Sequence, residues 1–346
     1  MSTMAIAKQW DWDQPIGRRS ASEARSATVA RRGTATVDEA IEAWLMSGAY
    51  ARTTLHRVRG QLGSRRALGW REAHGVVTIE QFTAAVAADY IRYLWDRGAA
   101  PGTLRKVKRL LLKLGKFCAE TPGYEGLQGD ELRKLRLPKL VERIPEALTE
   151  DECLRMIAAA GSSMRNRLIA ETFLLTGMRV SELCALTLDS LHLDSRPAYI
   201  HVRGSVHDPE RPKNSRERNI VIDYDSHGFG RGYVGRLRTY IAKERPASYY
   251  RELFLTERRD RRSGEHTPLT IVGVQRLMTR IERGSGVHGN PHRLRHTMCT
   301  RCADNDVPIF QLQEALGHSS LDMVRRYYSG SLRAMARGFY RAFETS

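Results

Sequence analysis

Nowhere in the 346 residues is there a run approaching the ~20 consecutive apolar residues of a membrane-spanning helix. Near the start, Trp10, Asp11, Trp12 and Asp13 stand where a secretory signal would have its apolar region, so a cytoplasmic protein is expected. Cysteine is scarce. The five (Cys118, Cys153, Cys184, Cys299 and Cys302) are odd in number and scattered, which suits reduced thiols and argues against a disulfide framework. Cys299 and Cys302 do form a C-x-x-C with His296 one turn upstream. No second ligand pair at zinc spacing accompanies them, so ordinary helix burial is expected and no metal. Carboxylates are also in deficit: 39 Asp and Glu face 56 Lys and Arg, a net charge of +17. That imbalance excludes a neutral surface and calls for a polyanionic partner. The cations recur beside apolar residues, as in "TLRKVKRLLLKLGKF", and read as faces of folded helices rather than a basic tail. Nucleic acid is therefore expected ahead of a membrane surface.

The length suits two domains, because single cores stop growing near ~250–300 residues. Residues 1–33 lack apolar periodicity and are rich in Ser, Ala and Arg, which predicts a mobile basic arm. Asp11, Asp13 and Glu23 count against an organelle-targeting peptide there. From Thr36 the pattern turns helical: "TVDEAIEAWLMSGA" opens on a Thr cap, and Phe82, Val86, Tyr90 and Leu94 recur every four residues before Gly98. Two segments resemble each other, "TLHRVRGQL" at 54–62 and "TLRKVKRLL" at 103–111. They are either unrelated surface helices or a pair laid against DNA phosphates. Gly-containing turns and the prolines at 138 and 145 predict a linker over 121–145. Thr149 followed by Glu152 is a capping box that opens a second domain from 146. Within that domain "AYIHVRG" and "RNIVID" read as strands on either side of a polar loop. Helices are expected at 165–176, 179–186, 234–244, 270–283, 292–304, 308–316, 320–328 and 332–343. The fold class is mainly α with a small antiparallel β-sheet.

Three segments carry residues suited to chemistry. In "LLTGMRVSELCALTLDSL" a Thr-Gly turn delivers Arg179 to the start of a helix whose Val180, Leu183 and Leu186 face inward. Alone, such an arginine is more often solvated or ion-paired than catalytic. In "NPHRLRHTMCT", Pro291 starts a helix that sets His292, Arg295 and His296 at i, i+3 and i+4, on one face. Arg295 in the middle of that stripe would repel a cation and suits an anion. In "LGHSSLDMVRRYY", a helix from Ser320 would place Leu321, Val324 and Tyr328 on its apolar stripe and turn Tyr327 about 90° away. Periodicity leaves a purely packing role open for either tyrosine.

Taken together and in this order, the segments resemble the tyrosine recombinase (phage integrase) family, over about residues 148–327 and more loosely over 36–120. "TGMRVSEL" is similar to the family's T-G-x-R-x-x-E-L box and carries Arg179. "HRLRHT" is similar to H-x-L-R-H-[ST] and carries His292 and Arg295. "LGHSS" carries His318, and the family's nucleophilic tyrosine, nine residues after that histidine, falls on Tyr327. The resemblance also implies a catalytic lysine in the strand–loop–strand segment. Lys213 is the candidate, in a longer loop than the usual family pattern; Arg211, Arg216 or Arg218 near the phosphate, with Lys213 a surface residue, is the alternative.

What the resemblance implies is a helical (SAM-like) core-binding domain over 34–120, a catalytic domain over 146–330, and a C-terminal helix at 331–346 that packs either in cis or on a neighbouring protomer. The implied activity is site-specific cutting and rejoining of double-stranded DNA at inverted-repeat sites by a homotetramer, through a 3′-phosphotyrosine and without cofactor. Arg179 and Arg295 would hold the non-bridging oxygens, His318 would add a donor, His292 would assist proton transfer and Lys213 would protonate the departing oxygen. Type IB topoisomerase-like relaxation, or a DNA-binding protein that has lost catalysis, are the competing readings.

Overall fold

A computed structural model of the chain describes residues 35–48, 52–124, 126–127, 129–139, 146–203, 217–223, 230–317, 321 and 324–325. The chain falls into two units, Met1–Arg143 and Ile144–Ser346, each with its own apolar core. Among the described residues no helix is long and apolar enough to cross a membrane.

The first unit is helical. Its α1 (Val37–Met46) starts where the sequence places its cap: Thr36 Oγ1 accepts the Glu39 N–H at 3.1 Å while Glu39 accepts the Thr36 N–H at 2.7 Å. Next come α2 (Arg52–Leu62), α3 (Arg65–Ala73), α4 (Ala84–Asp96), α5 (Pro101–Glu120) and α6 (Gly129–Lys134). The four-residue spacing expected from Phe82 to Leu94 is corrected. Phe82 is buried ahead of α4, Val86 is partly buried, and the buried stripe is Ala87, Tyr90, Ile91 and Leu94. A 3.6-residue turn drifts off any strict four-residue repeat.

The likeness between 54–62 and 103–111 has a packing cause. Leu104, Val107 and Leu111 are fully buried in α5, and their counterparts Leu55, Val58 and Leu62 in α2 face the same core. The expected linker is also corrected, because 121–145 contains α6, whose Leu132 is buried together with Leu127. Of its glycines, Gly126 is there for close approach: a Cβ on it would lie 2.0 Å from the Ile79 carbonyl oxygen. The chain thus turns back to cover α5 before it leaves the unit.

In the second unit, α7 (Glu150–Ala159) opens on the expected capping box of Thr149 and Glu152. Helix α8 (Met164–Thr176) is buried at every residue from Leu168 to Thr176. Burying a helix on all sides requires its polar groups to find partners. Thr172 and Thr176 donate to the carbonyls four residues back at 2.6 and 2.5 Å, and Glu171 pairs with Arg167 and Arg236 at 2.9 and 3.0 Å. After α9 (Val180–Cys184) comes an antiparallel sheet, β1 (Leu191–His192), β2 (Tyr199–Val202) and β3 (Arg218–Val221), in that order across the sheet.

Then follow α10 (Tyr233–Thr239), which continues as a π-helical turn Tyr240–Glu244, α11 (Ile271–Ser285), α12 (Pro291–Asp304) and α13 (Ile309–Leu316). The architecture is mainly α with one small antiparallel sheet, and β1 is the strand that the sequence did not announce, being two residues long. The arm expected at 1–33 and the helix at 332–343 lie outside the described residues, as does most of 320–328. From that last segment Val324 is described, buried with Leu312 and Leu316.

Candidate active site

Helix α8 ends at the Thr-Gly turn of the first motif. Gly177 adopts the left-handed conformation at φ +58°, and a Cβ there would lie 3.2 Å from Met298 Sδ and 3.3 Å from Leu316 Cδ2. Both the backbone angle and the crowding demand glycine. Met178 anchors the turn in the core, and Arg179 becomes the residue that caps α9. Glu182, at the third position of α9, accepts the Arg179 backbone N–H at 2.7 Å through Oε2 and the Arg179 Nη1 at 2.8 Å through Oε1. The Arg179 side chain is 34% exposed, so its guanidinium is braced on one side and reachable from solvent.

Glu182 is buried and serves a second arginine. Arg218, at the start of β3, donates to it through Nη1 at 3.1 Å and Nη2 at 2.9 Å. Burial alone would push the Glu182 carboxyl up; the hydrogen bonds and charge of Arg218, then those of Arg179, override it and hold the group down at about 2. Arg218 Nε also donates to the Ala315 carbonyl at 2.7 Å, in the last turn of α13.

Arg295 comes from the second motif. Asn290 caps α12, accepting the His292 and Arg293 N–H groups at 3.0 Å, and Pro291 takes the first helical position. One turn on, Arg295 is 6% exposed, with Nη1 on the Gly177 carbonyl at 2.5 Å and Nη2 on the Leu316 carbonyl at 2.9 Å. Burial, then the charge of Arg179, holds its guanidinium down at about 10, still protonated at neutral pH. The Arg179 and Arg295 boxes therefore meet, although 116 positions separate the two residues in sequence. On the same helix His292 is exposed, whereas His296 is buried and lowered by burial and by the neighbouring His292 and Arg293.

The last turn of α13 meets both arginines. Arg218 takes the Ala315 carbonyl and Arg295 the Leu316 carbonyl, offsetting the negative end of the helix dipole. Gly317 follows in the left-handed conformation at φ +62°, and a Cβ on it would lie 2.9 Å from Arg218 Nη1. The next residue is His318.

The structure thus brings Arg179 and Arg295 together and places His292 one turn before Arg295. Lys213, His318 and Tyr327 lie outside the described residues, as do Tyr328, Arg211 and Arg216. Arg218, offered by the sequence as a group near the phosphate, is a buried partner of Glu182, the carboxylate that also holds Arg179. Sequence reasoning missed Glu182 itself. The available signal was its place three residues after a helix-capping position, where a carboxylate reaches back to the cap. The C-x-x-C contributes packing: Cys299 is buried with Met298, Leu312 and Leu316, and burial pushes the Cys302 thiol up to about 11.

Arg179 and Arg218 share the Glu182 carboxylate while Arg295 is held by the Gly177 and Leu316 carbonyls, so cations outnumber carboxylates in a preorganised site that suits an anion able to accept forked N–H donors. The fold around it is shared with integrases solved on DNA. A lambda integrase tetramer bound to a Holliday junction matches with a TM-score of 0.64 at 19% identity, over 89% of this chain and 82% of that one. The Tn1549 transposon integrase in complex with a circular intermediate DNA matches with a TM-score of 0.61 at 18% identity, over 87% and 99%. These likenesses are of fold.

The chain belongs to the phage integrase family, the tyrosine recombinases, whose family model matches residues 146–332, more than half of its length. Relatives include tyrosine recombinase XerA of Pyrococcus furiosus, 28% identical over 250 residues that span 72% of this chain and 78% of that protein. Tyrosine recombinase XerC of Bacillus pumilus is 28% identical over 285 residues, 79% and 86% of the two chains. The chain is accordingly a tyrosine-type site-specific recombinase.

Proposed function

We propose that the second unit holds one DNA backbone phosphate against Arg179 and Arg295 and that Tyr327 attacks its phosphorus. A phosphodiester resists attack because its own charge repels the nucleophile and grows on the non-bridging oxygens in the transition state. Fixed guanidiniums counter both effects, with a forked geometry that lysine cannot copy. The Tyr327 hydroxyl loses its proton with the help of His292 and forms the new P–O bond. The bond to the 5′ oxygen breaks, Lys213 protonates that oxygen, and His318 donates to the phosphate. A 3′-phosphotyrosine and a free 5′-hydroxyl result. Because the covalent link preserves the phosphoester, a 5′-hydroxyl from a second duplex reverses the step without ATP. Exchange then needs two inverted-repeat sites held by a homotetramer, with the first unit on the flanking duplex.

The observation that supports this reading most is the approach of Arg295 to the turn that carries Arg179, across Gly177, where burial and then the charge of Arg179 lower Arg295. Such repulsion is maintained where an anion will relieve it. A nicked suicide duplex tests it: a covalent adduct should form, disappear in Tyr327→Phe and persist in Tyr328→Phe. Joining of strands from two duplexes distinguishes recombination from relaxation of a single duplex. An adduct that survives Tyr327→Phe overturns the assignment.

A further inference from the structure

Arg218 has no part in the chemistry proposed above, yet its side chain is 1% exposed and touches two of the three segments that make up the site. A buried guanidinium is costly unless its donors are answered. Here Nη1 and Nη2 hold Glu182 and Nε holds the Ala315 carbonyl, an arrangement that needs the planar fork plus a third donor set to the side. Each oxygen of Glu182 is shared. Oε1 accepts Arg179 Nη1 and Arg218 Nη1, and Oε2 accepts the Arg179 N–H and Arg218 Nη2. Glu182 is thus divided between two cations, and Arg179 faces a carboxylate already largely answered by Arg218. Take Arg218 away and the whole charge of Glu182 falls to Arg179, drawing it into a closed ion pair. The Ala315 carbonyl would lose its partner at the turn that leads into His318.

We infer that Arg218 is a positioning residue for strand cleavage: it occupies Glu182 so that Arg179 stays available to the phosphate, and it fixes the end of α13 from which His318 follows. This rests on the reading of Arg179 as a phosphate ligand.

The test uses the full-length protein and single-turnover cleavage of the nicked suicide duplex. One substrate has an ordinary scissile phosphate and the other a methylphosphonate, where a methyl replaces a non-bridging oxygen and removes its charge. Arg218→Met should slow cleavage by roughly 100-fold at saturating DNA while affinity stays within about threefold, as expected when a reacting group is misplaced. The loss should shrink to under about tenfold on the methylphosphonate, which depends less on Arg179. The double variant Glu182→Gln with Arg218→Met should be no slower than Arg218→Met alone, since the competing charge is gone. If Arg218→Met does not fold, Arg218→Lys, which keeps a charge on Glu182 but lacks the fork and the third donor to the Ala315 carbonyl, should give a smaller loss with the same substrate dependence. Equal losses on both substrates, or cleavage by Arg218→Met within about threefold of the parent, overturn the inference. Absence of any adduct from the parent protein overturns the phosphate reading itself.

Discussion

The carbonyl oxygen of Gly177 and Nη1 of Arg295 stand 2.5 Å apart and join the end of α8 to α12. The contact exists because the chain at Gly177 turns left-handed, which points that carbonyl across the site, and because no side chain intervenes. Gly177→Ala should therefore strain the backbone and push against Met298 and Leu316, destabilising the second unit by about 2 kcal/mol or more. All five tryptophans precede residue 100, so fluorescence follows the first unit alone. Hydrogen exchange over residues 164–203 would follow the second. A loss confined to the second unit is expected; unchanged protection there would refute the close packing at this turn.

Glu182 gives the site a pH dependence whose sign follows from its environment. Its carboxyl is held at about 2 in the folded chain against 4.5 for the ordinary group. The stability it contributes is present above pH 4.5 and is lost as pH falls toward 2, in total roughly 3 kcal/mol. Glu182→Gln should be destabilised at neutral pH because buried Arg218 loses its counter-charge. The gap between variant and parent should close as pH falls through that window. Urea unfolding of the second unit at a series of pH values measures this, and a gap that stays constant from pH 6 to pH 3 would argue against a depressed carboxyl.

The two arginine segments of this site were legible in the sequence, for a definite reason. Arg179 and Arg295 announce themselves because local rules position them, a glycine turn in one case and a Pro-started helix with i, i+3 spacing in the other. The glycines of the two turns, Gly177 and Gly317, were legible as motif letters, but their physical cause was not, since each is crowded by a side chain distant in sequence. Arg218 and Glu182 show the same limit. Glu182 could be read as a capping carboxylate, yet nothing in the order of residues says that a strand 36 positions away supplies its main partner. Among the described residues, the helices expected in the second unit fell within a few residues of their bounds because caps and glycines mark their ends, whereas β1 was too short for alternation to register. The expected linker failed at α6, ahead of which Gly126, read as part of a turn, lets the chain lie against the Ile79 backbone.

Arg295 is held down first by burial and then by the charge of Arg179, which means that a bound anion should stabilise the free enzyme. Sulfate serves as the probe, compared with chloride at equal ionic strength. At a concentration about ten times its dissociation constant it should add roughly 1.4 kcal/mol to the second unit. Sulfate also stabilises proteins generally by exclusion from their surfaces. Arg179→Ala separates the two effects: the general part remains and the specific part disappears. Equal stabilisation of parent and variant would leave the guanidinium pair without an anion site.

In the first unit, Lys106, Arg109, Lys113 and Lys116 are exposed and spaced to share one face of α5. Arg59 of α2, from the matching segment, is already paired with Glu42 at 2.6 Å. If the α5 face lies along duplex phosphates, each of its cations displaces counterions on binding, and an ion-paired cation displaces fewer. Lys106→Ala or Lys113→Ala should weaken DNA binding without regard to sequence and reduce the slope of log K against log salt by about 0.9 each. Arg59→Ala should change that slope by much less, because removing it leaves Glu42 to repel the phosphates while releasing few ions. Affinities measured across a salt series decide the matter, since an α5 face turned to solvent would leave the slope of every variant where the parent has it.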